Sequence, residues 1–103
     1  MTILQLKYVI ALANAKSMRE AASHLYVSQP ALSTTIRELE EELNIKLFDR
    51  NNKGVKITAE GMEFLTYAKQ AVSQYEVIED RYIDKWKDRK HFSVSMQHYV
   101  FAL

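Results

Sequence analysis

The feature that most limits the fold is a connection of three residues, Tyr26, Val27 and Ser28, between two helical segments. Before it, S-M-R-E at residues 17 to 20 predicts a helix start, because the serine can accept a hydrogen bond from the glutamate amide and the glutamate can reach back. After it, SQPALSTTIRELEEEL at residues 28 to 43 predicts an amphipathic helix with the serine as N-cap. The two predicted helices are therefore neighbours joined by a short turn.

The helix predicted over residues 28 to 43 has two different halves. Its apolar residues, among them Leu32, Ile36 and Leu39, recur on one face at helical spacing. The first turns of the other face carry mostly uncharged polar side chains, whereas the acids gather at the far end. Such side chains are poor choices for a helix that only needs to be soluble, so this half is predicted to contact a partner. Its outward residues are Gln29, Pro30, Ser33, Thr34 and Arg37.

The segment KLFDRNNKGVKIT, residues 46 to 58, predicts a β-hairpin. Two short apolar runs flank NNKG at residues 51 to 54, where Asn and Gly are available for positive φ. The formal net charge of the chain is only +1, so the distribution of charge matters more than its sum. Within the hairpin there are four bases and one acid, namely Lys46, Arg50, Lys53 and Lys56 against Asp49.

Two short helices joined by a tight turn and followed by a basic hairpin predict a mainly α, winged helix-turn-helix domain with three short helices and a β-hairpin wing. In that motif the second helix of the pair enters the major groove of DNA by its N-terminal part. Gln can bond adenine edges, and Ser and Thr can bond several bases. The acidic end of the helix would be repelled by DNA, which gives the polarity of docking. The predicted DNA-binding residues are Ser28, Gln29, Pro30, Ser33, Thr34, Arg37, Arg50, Asn52 and Lys53.

A long linker helix is predicted next, with Thr58 as its cap and no Gly or Pro after Gly61. Its later turns carry apolar and aromatic side chains that need a partner, and pairing of two such helices in a homodimer would hide them. The predicted dimer interface is Leu65, Ala68, Val72, Tyr75, Ile78, Tyr82 and Trp86.

The end of the chain changes character, because Phe92, Val94 and Met96 alternate with polar residues as in a strand. A lone strand has no sheet partner, so the chain is interpreted as ending just inside a further domain. The predicted organisation is a winged helix-turn-helix over residues 1–58, a linker and dimerisation helix over residues 59–89, and the start of a truncated effector-binding domain over residues 90–103.

Four motifs, S-Q-P-A-L-S, I-R-x-L-E, L-F-x-R and T-A-E-G, resemble the DNA-binding domain of LysR-type transcriptional regulators over roughly residues 3 to 88. The resemblance implies a bacterial regulator that binds double-stranded DNA as a homodimer, with a two-lobed domain for a small-molecule effector beyond this chain. By motif position, Gln29, Pro30, Ser33 and Thr34 match groove-reading residues, and Arg50 and Lys53 match the wing. One departure is Thr34, because that position is often basic in the family.

Composition excludes several other classes of protein. There is no Cys, which fits a reducing compartment. No apolar stretch reaches the ~20 residues of a membrane span, and no signal peptide is evident. A cytoplasmic protein is therefore expected. His24, His91 and His98 lack a ligand-like spacing, and no motif calls for a cofactor or for catalysis.

Two alternatives remain open from the sequence. One is a helical adaptor in which the long helix binds protein partners and DNA is not bound. The other is a winged-helix regulator whose ligand site lies within this same domain, which the strand predicted at residues 92 to 96 disfavours.

Overall fold

The structure is a computed structural model that describes residues 1–84. It confirms the predicted fold, which is mainly helical with one antiparallel hairpin. The described residues fall into two units, Met1–Val72 and residues 73–84. The elements in chain order are α1 (Ile3–Asn14), α2 (Met18–Leu25), α3 (Gln29–Leu43), β1 (Phe48–Asn51), β2 (Gly54–Ile57), α4 (Ala59–Glu79) and a π-helical turn (Asp80–Asp84).

Side-chain caps start the first three helices. The Ser17 hydroxyl accepts a hydrogen bond from the Glu20 amide at 3.0 Å, as predicted, but the Glu20 carboxylate accepts from the amide of Lys16, not from that of Ser17. The Ser28 hydroxyl accepts from the Ala31 amide at 3.2 Å and caps α3. At α1, a full capping box joins residues 2 and 5, which the sequence analysis did not predict.

Left-handed residues end α2 and α3. Asn44 follows α3 with φ of 57°, a left-handed conformation that asparagine tolerates at the end of a helix. Tyr26 follows α2 with φ of 58°, and the next amide, that of Val27, donates to the Ala22 carbonyl at 3.0 Å. A tyrosine in this region costs roughly 1–2 kcal/mol, so the sharp turn between α2 and α3 is formed at some expense in stability.

One core joins the three short helices to the hairpin. Its largest fully buried side chains come from α1, α3 and the segment before β1, and each is 0% exposed: Val9, Leu32, Ile36, Leu39 and Leu47. Because the apolar face of α3 points inward, its opposite face is left on the surface. A smaller cluster joins α4 to α1 through Leu6, Ala68 and Val72.

The hairpin has a simple register in which Phe48 pairs with Ile57 and Asn51 pairs with Gly54. The positive φ expected in its turn occurs at Gly54, at 126°, whereas the two asparagines keep negative φ. Asn51 shapes the turn with its side chain instead, because its Oδ1 accepts from the Lys53 amide at 2.8 Å.

A buried acid on α3 fixes where the hairpin begins. Glu40 is 5% exposed, and its Oε2 accepts from the backbone amides of Leu47 at 2.7 Å and Phe48 at 3.2 Å. Both donors lie at the start of the wing, so one carboxylate oxygen anchors β1 to the helix.

Thr58 and Gly61 fix the other end of the hairpin. The Thr58 hydroxyl donates to the Lys46 carbonyl at 2.6 Å and accepts from the Gly61 amide at 2.9 Å. A Cβ at Gly61 would overlap the carbonyl oxygen of Leu47. The start of α4 is therefore held against the segment between α3 and β1, at a distance that only glycine permits.

The unit formed by residues 73–84 ends in the π-helical turn. Its apolar side chains are exposed in the single chain: Tyr75, Val77, Ile78, Tyr82 and Ile83. The remainder of the predicted linker helix, including Trp86, and the strand predicted at 92 to 96 lie outside the described residues.

We predict that Glu40→Ala destabilises the domain, because it leaves two buried amides without an acceptor, at about 1–3 kcal/mol for each. Glu40→Gln retains one acceptor oxygen, so the loss of stability should be smaller for this variant. Urea unfolding followed by circular dichroism measures both, and Glu38→Ala, an exposed acid of the same helix, is the control. Equal midpoints for Glu40→Ala and Glu38→Ala would contradict the anchoring role.

Candidate nucleic-acid interface

The N-terminal half of α3 presents the predicted groove-reading residues on the surface. Leu32 and Ile36 are fully buried, which turns the opposite side of the helix outward. The exposed residues on that side are Ser28, Gln29, Pro30, Thr34 and Arg37. Ser33 is half-buried at the edge of this surface.

The first turn of α3 keeps one backbone donor for a ligand. Pro30 has no amide hydrogen, and the amides of Ala31 and Leu32 both donate to Ser28. Among residues 1–84, the Gln29 amide is the first-turn donor without a partner. An exposed N–H at the positive end of a helix dipole suits an anionic oxygen such as that of a phosphate.

Arg50 ties the wing to α3. Its Nη1 donates to the hydroxyl of Ser33 at 2.7 Å, and its Nη2 lies 3.6 Å from Oε1 of Glu40. The guanidinium therefore bridges a residue on the proposed reading surface and the buried acid that anchors β1. Sequence reasoning had assigned Arg50 to DNA contact alone, but the structure adds this bond within the protein.

Arg37 joins the same cluster from one helical turn further along α3. Its Nη2 donates to the Ser33 hydroxyl at 3.3 Å. The structure thus brings together three predicted residues from two elements. Asn52 and Lys53 lie apart from them, exposed in the hairpin turn, and the described residues give neither side chain a hydrogen bond to α3.

The acids of α3 are kept away from its N-terminal half. Glu40 is buried, and Glu42 forms an ion pair with the α-amino group of Met1 at 2.9 Å. Glu38 and Glu41 are exposed in the C-terminal half of the helix. Arg37 and Arg50 therefore bring two cations to Ser33 on this surface. Residues 29–37 of α3 carry no acid.

Two residues near this surface were missed by sequence reasoning. Glu40 was grouped with the surface acids, although it lies four residues after the buried Ile36 and so on the inner face. That spacing was the available signal. Tyr26, in the turn before α3, is 94% exposed. The sequence feature that could have revealed it is a tight turn between two helices that contains no glycine.

Other kinds of site find little support in the described residues. Within residues 1–84 no group of three or more His, Cys, Asp or Glu side chains could hold a metal ion. None of the helices in this part of the chain is both long and apolar enough to cross a membrane.

Known proteins share this chain's sequence and fold. It is 41% identical over 87 residues to the HTH-type transcriptional regulator YxjO of Bacillus subtilis (strain 168), a match that covers 84% of this chain and 30% of that protein. It is 38% identical over 80 residues to the DNA-binding transcriptional dual regulator OxyR of Escherichia coli (strain K12), covering 78% and 26%. The chain thus spans less than a third of either relative.

A solved structure also matches the fold of this chain. The crystal structure of the CbnR_DBD–DNA complex matches with a TM-score of 0.75 at 38% identity, covering 79% of this chain and 93% of that chain. The family model for the bacterial regulatory helix-turn-helix protein, lysR family, matches residues 3–62. The chain, with its winged helix-turn-helix, belongs to the lysR family of bacterial regulatory proteins.

Proposed function

We propose that this chain is the DNA-binding part of a transcriptional regulator and that it recognises a specific sequence in double-stranded DNA. The observation that carries the proposal is the outward face of α3, where exposed polar side chains precede two arginines that meet at Ser33. The match to a protein domain solved in a complex with DNA supports it.

In this mechanism the N-terminal half of α3 enters the major groove. Gln29 and Thr34 are exposed there and can bond base edges, while the ring carbons of Pro30 can meet a thymine methyl group. The Gln29 amide faces a phosphate at the groove edge. The C-terminal half of α3, which carries exposed acids, points away from the duplex.

The wing contacts the DNA beside that groove. Asn52 and Lys53 stand at its exposed tip, where a cation can meet a phosphate or enter the minor groove. Because Arg50 links the wing to Ser33, the two contact surfaces are held in one orientation. Binding therefore requires little rearrangement of the domain.

The greater length of the relatives is the basis for an inference about the intact regulator. Because the chain spans 30% of YxjO, we infer that the intact regulator carries a further domain, and that this domain binds a small-molecule effector. A regulator of bacterial genes acts in the cytoplasm, where the DNA is. No cofactor and no catalytic step are required for such binding.

A homodimer is the proposed assembly. Tyr82 and Ile83 are 54% and 55% exposed, and Ile78 is 49% exposed, so residues 73–84 present an apolar surface that no other described residue buries. A second copy would bury it, and the dimer would carry two reading helices for two half-sites, which lie about one DNA turn apart, ~34 Å, in DNA bound by helix-turn-helix dimers. Leu65, Ala68 and Val72 are buried or half-buried in the first unit, so the proposed interface rests mainly on Tyr75 and the residues that follow.

The competing function is a protein-binding adaptor, and the same exposed apolar surface is the observation that favours it. The salt dependence of binding to mixed genomic DNA separates the two. A DNA-binding dimer should give a log–log slope of several units, whereas an adaptor with net charge +1 should give a slope close to zero.

Gln29→Ala and Thr34→Ala should each weaken binding to the cognate site far more than binding to random DNA. Each lost base contact is worth roughly 1–3 kcal/mol of discrimination. Fluorescence anisotropy with both duplexes measures the ratio. Gln70→Ala, which alters an exposed glutamine on α4, is the control and should leave the ratio unchanged. Equal losses on both duplexes would contradict direct reading by these residues.

Lys53→Ala should instead weaken binding to all sequences alike and lower the salt slope by about one, because it removes one phosphate contact. Lys69→Ala removes an equal charge from an exposed position on α4 and should leave the slope as it is. A preference change confined to flanking A·T steps would indicate insertion into the minor groove. An unchanged slope for Lys53→Ala would exclude the wing tip from the interface.

The double change Ile78→Glu and Tyr82→Glu should convert the dimer into folded monomers that bind a half-site weakly, because it places two charges in the proposed apolar seam. Lys69→Glu changes the net charge by the same amount outside the seam and should keep the dimer. Light scattering at micromolar concentration measures the mass. A monomer mass of 12.0 kDa for the unmutated chain would refute the assembly.

A further inference from the structure

The hydroxyl of Ser33 receives two hydrogen bonds from arginines. Arg50 donates to it from the wing at 2.7 Å, and Arg37 donates to it from α3 at 3.3 Å. A serine hydroxyl has two lone pairs and one proton. Both lone pairs are therefore engaged by guanidinium groups within the protein.

The proton of this hydroxyl is left for a partner outside the protein. Within residues 1–84 the Ser33 hydroxyl donates to no acceptor. Thr66 shows the common alternative, since its hydroxyl donates to the Met62 carbonyl one turn earlier at 3.2 Å. Ser33 makes no such bond, and it lies at the edge of the proposed reading surface.

We propose that Ser33 acts as a donor-only contact and selects a hydrogen-bond acceptor on the DNA. A free serine hydroxyl can bond either a donor or an acceptor and so discriminates poorly between bases. With its lone pairs occupied, Ser33 can bond purine N7, guanine O6, thymine O4 or a phosphate oxygen. It cannot accept from the amino groups of cytosine N4 or adenine N6. The inference rests on the proposed function and adds a specificity role to it.

The two arginines are positioning residues in this scheme. Arg50 is held in place by Glu40, which is itself fixed by the amides at the start of β1. Arg37 approaches from one turn along the same helix as Ser33, a spacing that favours contact. The two arginines restrict the direction of the serine proton through bonds that exist before DNA arrives.

The first arm of the test locates the acceptor with the full 103-residue chain and the duplex it enriches from a random pool. Double-mutant cycles pair Ser33→Ala with single changes in the DNA. A 7-deazapurine removes N7, 2-aminopurine in place of guanine removes O6, and 5-methyl-2-pyrimidinone in place of thymine removes O4. Purine in place of adenine removes the N6 amino group, and a methylphosphonate alters one phosphate. Coupling should be on the order of 10-fold for removal of one acceptor, at a base or at a phosphate. Coupling to loss of an amino group, or to none of the changes, would overturn the proposal.

The second arm releases the lone pairs. In the double variant Arg37→Ala and Arg50→Ala, the hydroxyl can accept hydrogen bonds again. The affinity ratio between duplexes with and without the acceptor should then fall to within about 2-fold. Arg37→Ala alone, which leaves the Arg50–Glu40 pair intact, should reduce the preference partly and serves if the double variant does not fold. Lys53→Ala lowers affinity through charge alone and should keep the full preference. Retention of the full preference by both arginine variants would refute the role of the arginines.

Failure of this inference is distinguishable from failure of the proposed function. If the unmutated chain shows no salt-dependent DNA binding, the proposed function fails. If it binds with a slope of several units and Ser33→Ala behaves as the unmutated chain does on every duplex, only the donor-only role fails.

Discussion

The arrangement of α3 and the wing depends on the hydrogen bonds between the Glu40 carboxylate and the backbone amides at the start of β1. The chain leaves α3 and enters β1 with two amides, those of Leu47 and Phe48, that point into the interior. A buried amide without an acceptor is expensive. Glu40 supplies an acceptor from within the helix, so the start of the wing is fixed by a residue of α3.

A single carboxylate could not hold the wing if its charge were left uncompensated. Removing an ionised carboxylate from water requires hydrogen bonds or an opposite charge. Here the amides bind one oxygen, and Arg50 lies near the other at 3.6 Å with its side chain 28% exposed. Arg50 then reaches the Ser33 hydroxyl, so the bond network runs continuously from the interior to the outer face of α3. The side chains that hold the wing are therefore bonded directly to the proposed reading surface.

The sequence predicted the elements because their signals are local. The caps at Ser17 and Ser28 and the apolar stripe of α3 each act within a few residues. Glu40 was missed because a set of consecutive acids reads as a solvated surface, even though its spacing from Ile36 places it inside. Tyr26 was missed because nothing in its chemistry favours a left-handed backbone. The turn geometry is imposed by the packing of α2 against α3.

The sequence predicts that an apolar residue is buried more readily than it predicts which residues cover it. Ala68 and Val72 share a helical stripe with Tyr75, and the sequence assigned all three to one dimer seam. In the structure the first two contact Leu6 of α1, so the domain itself covers them. Periodicity reports which face of a helix is apolar but not what covers that face. The same limit applies to the candidate site, where the cluster around Ser33 joins residues 17 positions apart in the chain.

The near-neutral charge of the chain is compatible with DNA binding because of where its acids lie. Attraction to phosphates depends on the local field at the contact surface more than on the total charge. Along α3, Glu40 is enclosed by its donors and Glu42 is paired with the α-amino group of Met1. The exposed acids that remain, Glu38 and Glu41, follow Arg37 along the helix, and Arg37 and Arg50 meet at the Ser33 hydroxyl. This gradient opposes docking in the reverse orientation, since that would bring acids against phosphates. In the proposed complex, charge orients the domain on the duplex, whereas recognition of a particular sequence falls to uncharged groups and to the direction of their protons.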